Sequence, residues 1–165
     1  MAIRARKTAY AGVVMRSRLE ADYASWLDQR GWKWEYEPIV FAGPGGQWLP
    51  DFRYSAEPES PTWYVEVKPV SHLDCAPEED HAARIARIDE LLSRMSMTWL
   101  TKPDATVALQ WWNYDRHGIK AMVFGKRLGH WKWAGNIPFT SPQPWPSCIC
   151  QAASWPPPLN PESAA

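Results

Sequence analysis

At 165 residues the chain is long enough for one domain around a single hydrophobic core and too short for two. An apolar fraction of 45% with 22% charged residues excludes a globally disordered chain, and a formal net charge of zero argues against a protein that coats nucleic acid through bulk charge. No apolar run of about 18 residues is present and MAIRARKTAY lacks the apolar segment of a secretory signal, so a cytoplasmic protein is expected, with no membrane partner.

The first amphipathic pattern covers 14–30. There Leu19, Tyr23, Trp26 and Leu27 recur at helical spacing and Gly31 supplies a stop, so a helix is expected. In WKWEYEPIVF, Trp32, Trp34 and Tyr36 alternate with Lys33, Glu35 and Glu37, which is the period of a first strand. GPGG at 43–46 reads as a turn and hands over to QWLPDFRY, a short second strand. After the polar SAEPESP, the run TWYVEVKP alternates and is closed by Pro69, giving a third strand. Between 78 and 97, Ile85, Ile88, Leu92 and Met95 return at helical spacing, with acids first and arginines later as a helix dipole favours. TVALQWWN is expected as a buried strand and IKAMVFG as a further one. The expected fold class is α/β, with an αβββαβ order.

The third strand carries the chemistry. Tyr64, Glu66 and Lys68 share one face and Trp63, Val65 and Val67 the other, so an acid and an amine project side by side from the middle of a sheet. Charges placed there need partners or line a cleft. Asp51, in the second strand, comes to lie beside Glu66 if the two strands pair. Two adjacent carboxylates repel unless a cation sits between them, and a hard divalent ion with oxygen ligands suits the pair. A neighbouring lysine can orient or help deprotonate a water and stabilise charge on a phosphate. This constellation points to phosphodiester hydrolysis.

LPDF at 49–52 and VEVK at 65–68 resemble the two halves of the PD-(D/E)xK nuclease motif. MRSRLEADYASWLD at 15–28 and YEP at 36–38 look like the branch that holds phage-type Holliday junction resolvases and TnsA-like transposase endonuclease subunits. The resemblance runs from about Tyr10 to Pro69, with the α/β order continuing to about Asn113. It implies a restriction-endonuclease-like core, a mixed central sheet flanked by helices. It also implies a DNA endonuclease that uses Mg2+ or Mn2+ and is either structure-specific for branched or junction DNA or part of a phage or mobile-element system. Asp51 and Glu66 would bind metal with the Val67 carbonyl as a third ligand, Lys68 would handle the water, and Glu20 would reach the same metal through water or hold a second one. The alternative for Glu20 is an ion pair with Arg16 one turn earlier, worth little energy. Glu37 stays open between a solvated strand face and the site.

Around this acidic middle the flanks are basic. Residues 1–18 hold Arg4, Arg6, Lys7, Arg16 and Arg18 without an acid, and 116–133 hold Arg116, Lys120, Lys126, Arg127 and Lys132 likewise. Arg16 and Arg18 are candidate phosphate contacts, whereas Arg84 and Arg87 read better as a solvated helix face. Trp131 and Trp133, alternating with His130 and Lys132, could stack bases while Lys126, Arg127 and Lys132 contact phosphates, or the segment could pack against the body of the domain or a partner protein. His72, His81, His117 and His130 fall in no motif for a catalytic base. Cys75, Cys148 and Cys150 read as free thiols rather than a zinc site. The expected organisation is a nuclease domain over 1–135 and a Pro-rich, extended or disordered tail over 136–165. A double-strand cut by one site per chain would favour a homodimer or a partner protein. RNA as substrate uses the same chemistry, and a catalytically silent DNA-binding or assembly module is the reading from a different class.

Overall fold

The computed structural model describes residues 5–44, 46–69, 81–102, 104–113, 118–126 and 131–134. The chain is a mixed α/β protein. In order, the elements are β1 (Thr8–Tyr10), β2 (Val13–Met15), α1 (Arg18–Gln29), β3 (Lys33–Tyr36), β4 (Phe41–Gly43), β5 (Gly46–Trp48) and β6 (Phe52–Ser55), followed by β7 (Trp63–Pro69), α2 (His81–Met95), α3 (Thr98–Thr101), β8 (Thr106–Asn113), β9 (Gly118–Lys126) and β10 (Trp131–Ala134).

A six-stranded mixed sheet in the order β10-β9-β8-β7-β6-β3 forms the centre. β7 pairs with β6 antiparallel and with β8 parallel. The parallel pair needs a crossover, and the chain between the two strands contains α2 and α3. β8 is buried from Thr106 to Trp112, as a largely apolar strand covered on both faces is, and its buried amide, Gln110, accepts the Tyr23 hydroxyl.

Two apolar clusters lie on the two faces of the sheet. α1 covers Phe52, Tyr54, Val65, Val67, Ala108 and Trp112 with Ala21, Tyr23, Ala24, Trp26 and Leu27. The other cluster joins Tyr64, Leu109 and Trp111 to Leu92 and Met95 of α2 and to Phe41 and Trp48 of the β4–β5 hairpin. Alternation along β7 divides its residues between these layers.

Helix α1 begins and ends on sequence-encoded caps. Ser17 at the N-cap has extended backbone and accepts the Glu20 N–H at 3.2 Å. At the other end Gly31 takes φ 68, with its N–H on the Asp28 carbonyl at 2.9 Å and the Trp32 N–H on the Leu27 carbonyl at 3.2 Å, the double closure of a Schellman motif.

Three boundaries differ from the sequence reading, each through local backbone chemistry. Val14 belongs to β2 and not to the helix: Ala11 and Gly12, at φ 47 and 79, make the two-residue reversal that joins β1 to β2. WKWEYEPIVF is not one strand, because Glu37 takes φ 45 and Pro38 follows it. QWLPDFRY is split at Leu49, Pro50 and Asp51. Its first part pairs with β4 as a hairpin, and its second part joins the main sheet.

The tail expected over 136–165 lies outside the described residues, as do Glu78, Glu79 and Asp80 at the expected start of the second helix. No helix among the described residues is long and apolar enough to cross a membrane. Leu27 is fully buried where α1 meets the sheet, so Leu27→Ala should cost about 2–5 kcal/mol in urea unfolding. A loss below about 1 kcal/mol would mean that α1 is not seated on the sheet in this way.

Candidate active site

The register of β6 against β7, with Phe52 opposite Val65, brings the residue before Phe52 next to the residue after Val65. Those residues are Asp51 and Glu66, 2% and 7% exposed. Asp51 sits in the bend that follows the buried Pro50, just ahead of β6, so its side chain is free of the strand's alternation. Its Oδ2 accepts the Val67 N–H at 2.8 Å, and its Oδ1 accepts Nη2 of Arg16 at 2.6 Å. Its backbone carbonyl accepts the Glu37 N–H at 2.9 Å. Glu66 is held equally fully: Oε1 accepts Lys68 Nζ at 2.6 Å and Oε2 accepts the Trp48 indole N–H at 2.9 Å.

Arg16 links the remaining acids. Its Nε lies 2.8 Å from Glu37 Oε1 while Nη2 holds Asp51. Its backbone N–H is shared between Glu20 Oε2 and the Tyr36 hydroxyl, both at 3.0 Å. Tyr36 donates its hydroxyl proton to Glu20 Oε2 at 2.5 Å, and Ser17 Oγ donates to Glu20 Oε1 at 2.8 Å. Ser17 thus caps α1 through its hydroxyl, while the Glu20 carboxylate reaches back past it to the Arg16 N–H, one residue before the N-cap.

The alternative for Glu20, a side-chain pair with Arg16, is not formed: Arg16 meets Glu20 through its backbone N–H, and its guanidinium points to Asp51 and Glu37. Among the described contacts Glu20 is joined to Asp51 by way of Arg16, and none joins it to Glu66 or Lys68. α1 covers the Val65 and Val67 face, and Glu66 and Lys68 project from the opposite face beside the β4–β5 hairpin. Glu20 reaches Asp51 through Arg16.

Burial and the neighbouring Glu66 carboxylate push the Asp51 pKa up to about 8, while Lys68 and the Val67 N–H pull the other way without cancelling the effect. The Arg16 side chain is 53% exposed, so solvent screens its attraction. For Lys68, burial disfavours the charge, but Glu66 and Asp51 outweigh it and the pKa is raised. The lysine is thus a cation at neutral pH and no proton acceptor in this state. Tyr36, partly buried and bonded to Glu20, is pushed up to about 12 and stays a donor.

No protein-family model, curated protein or solved structure matches this chain. The chemistry of the site therefore rests on its own geometry.

Four carboxylates, Glu20, Glu37, Asp51 and Glu66, surround two cations, Arg16 and Lys68, which leaves two negative charges in excess when all are ionised. Among the described residues no three His, Cys, Asp or Glu side chains converge tightly enough to be a three-ligand metal set. Asp51 and Glu66 alone are a donor set of the kind magnesium uses with water and phosphate oxygens. Their all-oxygen chemistry and uncompensated charge fit a hard divalent cation and not a zinc site. Val67 meets the site through its N–H.

The other expected contacts are not gathered here. Arg18 is exposed and pairs with Asp22 at 3.6 Å on the surface of α1. Trp131, Lys132 and Trp133 fall on β10, three strands from β7, and Lys126 ends β9. Arg127, His72, His117, His130 and the three cysteines lie outside the described residues. Sequence reasoning missed Ser17, Tyr36 and Trp48 as parts of the site. The Ser17-x-x-Glu20 spacing was a readable capping signal, whereas nothing local marks Trp48.

A carboxyl whose folded pKa is raised binds its proton more tightly in the folded state than in the unfolded chain. Asp51 therefore makes metal-free protein less stable as pH rises from about 4 to about 8. Urea midpoints measured in a chelator across that window should fall with pH in wild type and fall less steeply in Asp51→Asn. Equal slopes would show that Asp51 is not a buried acid under strain.

Proposed function

We propose that this chain is a restriction-endonuclease-like, metal-dependent endonuclease that hydrolyses DNA phosphodiester bonds with Mg2+ or Mn2+. The observation that carries the reading is the pair of buried carboxylates, Asp51 and Glu66, brought together by the β6–β7 register with Lys68 at 2.6 Å from Glu66. The order of elements around it, helix, antiparallel strands, crossover helix and parallel strand, is what the resemblance to PD-(D/E)xK nucleases implies.

In this reading Asp51, Glu66 and the Val67 carbonyl would hold the metal, which would supply a Lewis acid and lower the pKa of water. Lys68, protonated, orients that water and offsets charge gathering on the phosphate. Glu20, Ser17 and Tyr36 fix the backbone of Arg16 at the mouth of the site. Branched or junction DNA in a phage or mobile-element setting is the proposed substrate, and a homodimer or partner protein would supply the second cut.

A second reading has its own support. Each oxygen of Asp51 and Glu66 already has a donor within the chain, as a silent binding or assembly module would need for charges with no other role.

Cleavage of supercoiled, linear, single-stranded and branched DNA, with RNA alongside, separates the two. Asp51→Ala should fall to background, and Lys68→Ala should lose roughly 10²–10³-fold in rate. Wild type and Asp51→Ala behaving alike on every substrate would leave the silent module as the better account.

A further inference from the structure

Arg16 stands where a metal ligand must become available. Its guanidinium spans two acids that differ in depth: Asp51, whose side chain is 3% exposed, and Glu37, at 29%. The two contacts use different atoms, Nη2 for Asp51 and Nε for Glu37. Releasing one does not break the other.

Glu37 is itself held in an unusual way. It is a non-glycine residue at φ 45, a conformation that costs energy and persists only where surrounding structure enforces it. The enforcing contact is its N–H on the Asp51 carbonyl. The backbone that positions Asp51 thus also positions the acid that holds the other side of Arg16. The Arg16 main chain is fixed independently, through its N–H on Glu20 and Tyr36.

We infer that Arg16 is a resident counter-ion of Asp51 that pivots on Glu37, releasing Asp51 to a divalent cation and presenting its freed Nη groups to a substrate phosphate. The inference rests on the nuclease reading and adds two roles to it. Arg16 becomes both a competitor for the metal and a contact to the phosphate, and Glu37 becomes a positioning residue that keeps the guanidinium at the site after it lets go. Arginine suits this function, since its planar fork offers separate donor edges to two acceptors and stays charged throughout. A lysine in its place would present a single point charge and could not hold Glu37 by one edge while turning the other.

Mn2+ binding followed by calorimetry, with tryptophan emission in parallel because Trp48 bonds Glu66, tests the inference without relying on turnover. Arg16→Ala should bind Mn2+ at least several-fold more tightly than wild type, since the competing cation is gone, yet cleave more slowly at saturating metal. Glu37→Gln removes the alternative anchor. It should bind Mn2+ more weakly than wild type and show a raised KM for DNA, and Arg16→Lys should not restore the wild-type KM. Asp51→Ala is the control for the site. Asp51-dependent Mn2+ binding of equal affinity in wild type and Arg16→Ala would overturn the pivot and leave the metal site standing. Absence of any Asp51-dependent Mn2+ binding in both proteins would overturn the metal site and the pivot with it.

Discussion

Burying the Asp51 carboxylate beside Glu66 is the constraint to which the neighbouring structure answers. A carboxylate removed from water is costly, and a second one next to it raises the cost. Three kinds of group respond: the Val67 N–H from the strand, the Arg16 guanidinium from the segment ahead of α1, and the Lys68 ammonium through its hold on Glu66. Each comes from a different part of the chain, so the site exists only when those parts are assembled. The excess of acid that remains is the reason a divalent cation is proposed for this cluster.

The two faces of the sheet divide the work. On one, α1 seats its aromatic and aliphatic side chains over β6, β7 and β8, and its first turn carries Glu20 into contact with Tyr36 and Arg16. On the other, the β4–β5 hairpin lays Trp48 against Glu66 and packs with α2. Gly46, at φ 110, takes a backbone conformation that a side chain would strain, and so lets this hairpin turn. Asp51 lies in a bend ahead of β6, between these layers, and can therefore be reached by Arg16 from the α1 side while it neighbours Glu66.

Lys68 illustrates how neighbours set the role of a residue type. A buried lysine on its own would tend to lose its proton, but two carboxylates keep this one charged. In the proposed hydrolysis its part would be electrostatic and positional, since a protonated amine accepts no proton from water.

Much was legible in the sequence because it depends on short-range periodicity. The helical spacing of Leu19, Tyr23, Trp26 and Leu27, the stop at Gly31 and the alternation through Glu66 and Lys68 all translate directly into α1 and β7. The proximity of Asp51 to Glu66 was legible as well, given only that two adjacent strands pair. What the tertiary structure decided depends on backbone reversals and long separations. Glu37 turns the chain at φ 45, and the Arg16 guanidinium lands on Asp51, 35 residues away, and not on the Glu20 carboxylate just inside the following helix. Pro50 and its neighbours split the expected second strand, and the detached half folds over as the hairpin that gives Glu66 its indole partner. Periodicity tells which face a side chain takes; which charge meets which is settled only when strands, hairpin and helix close around a volume with no water to spare for an unpaired carboxylate.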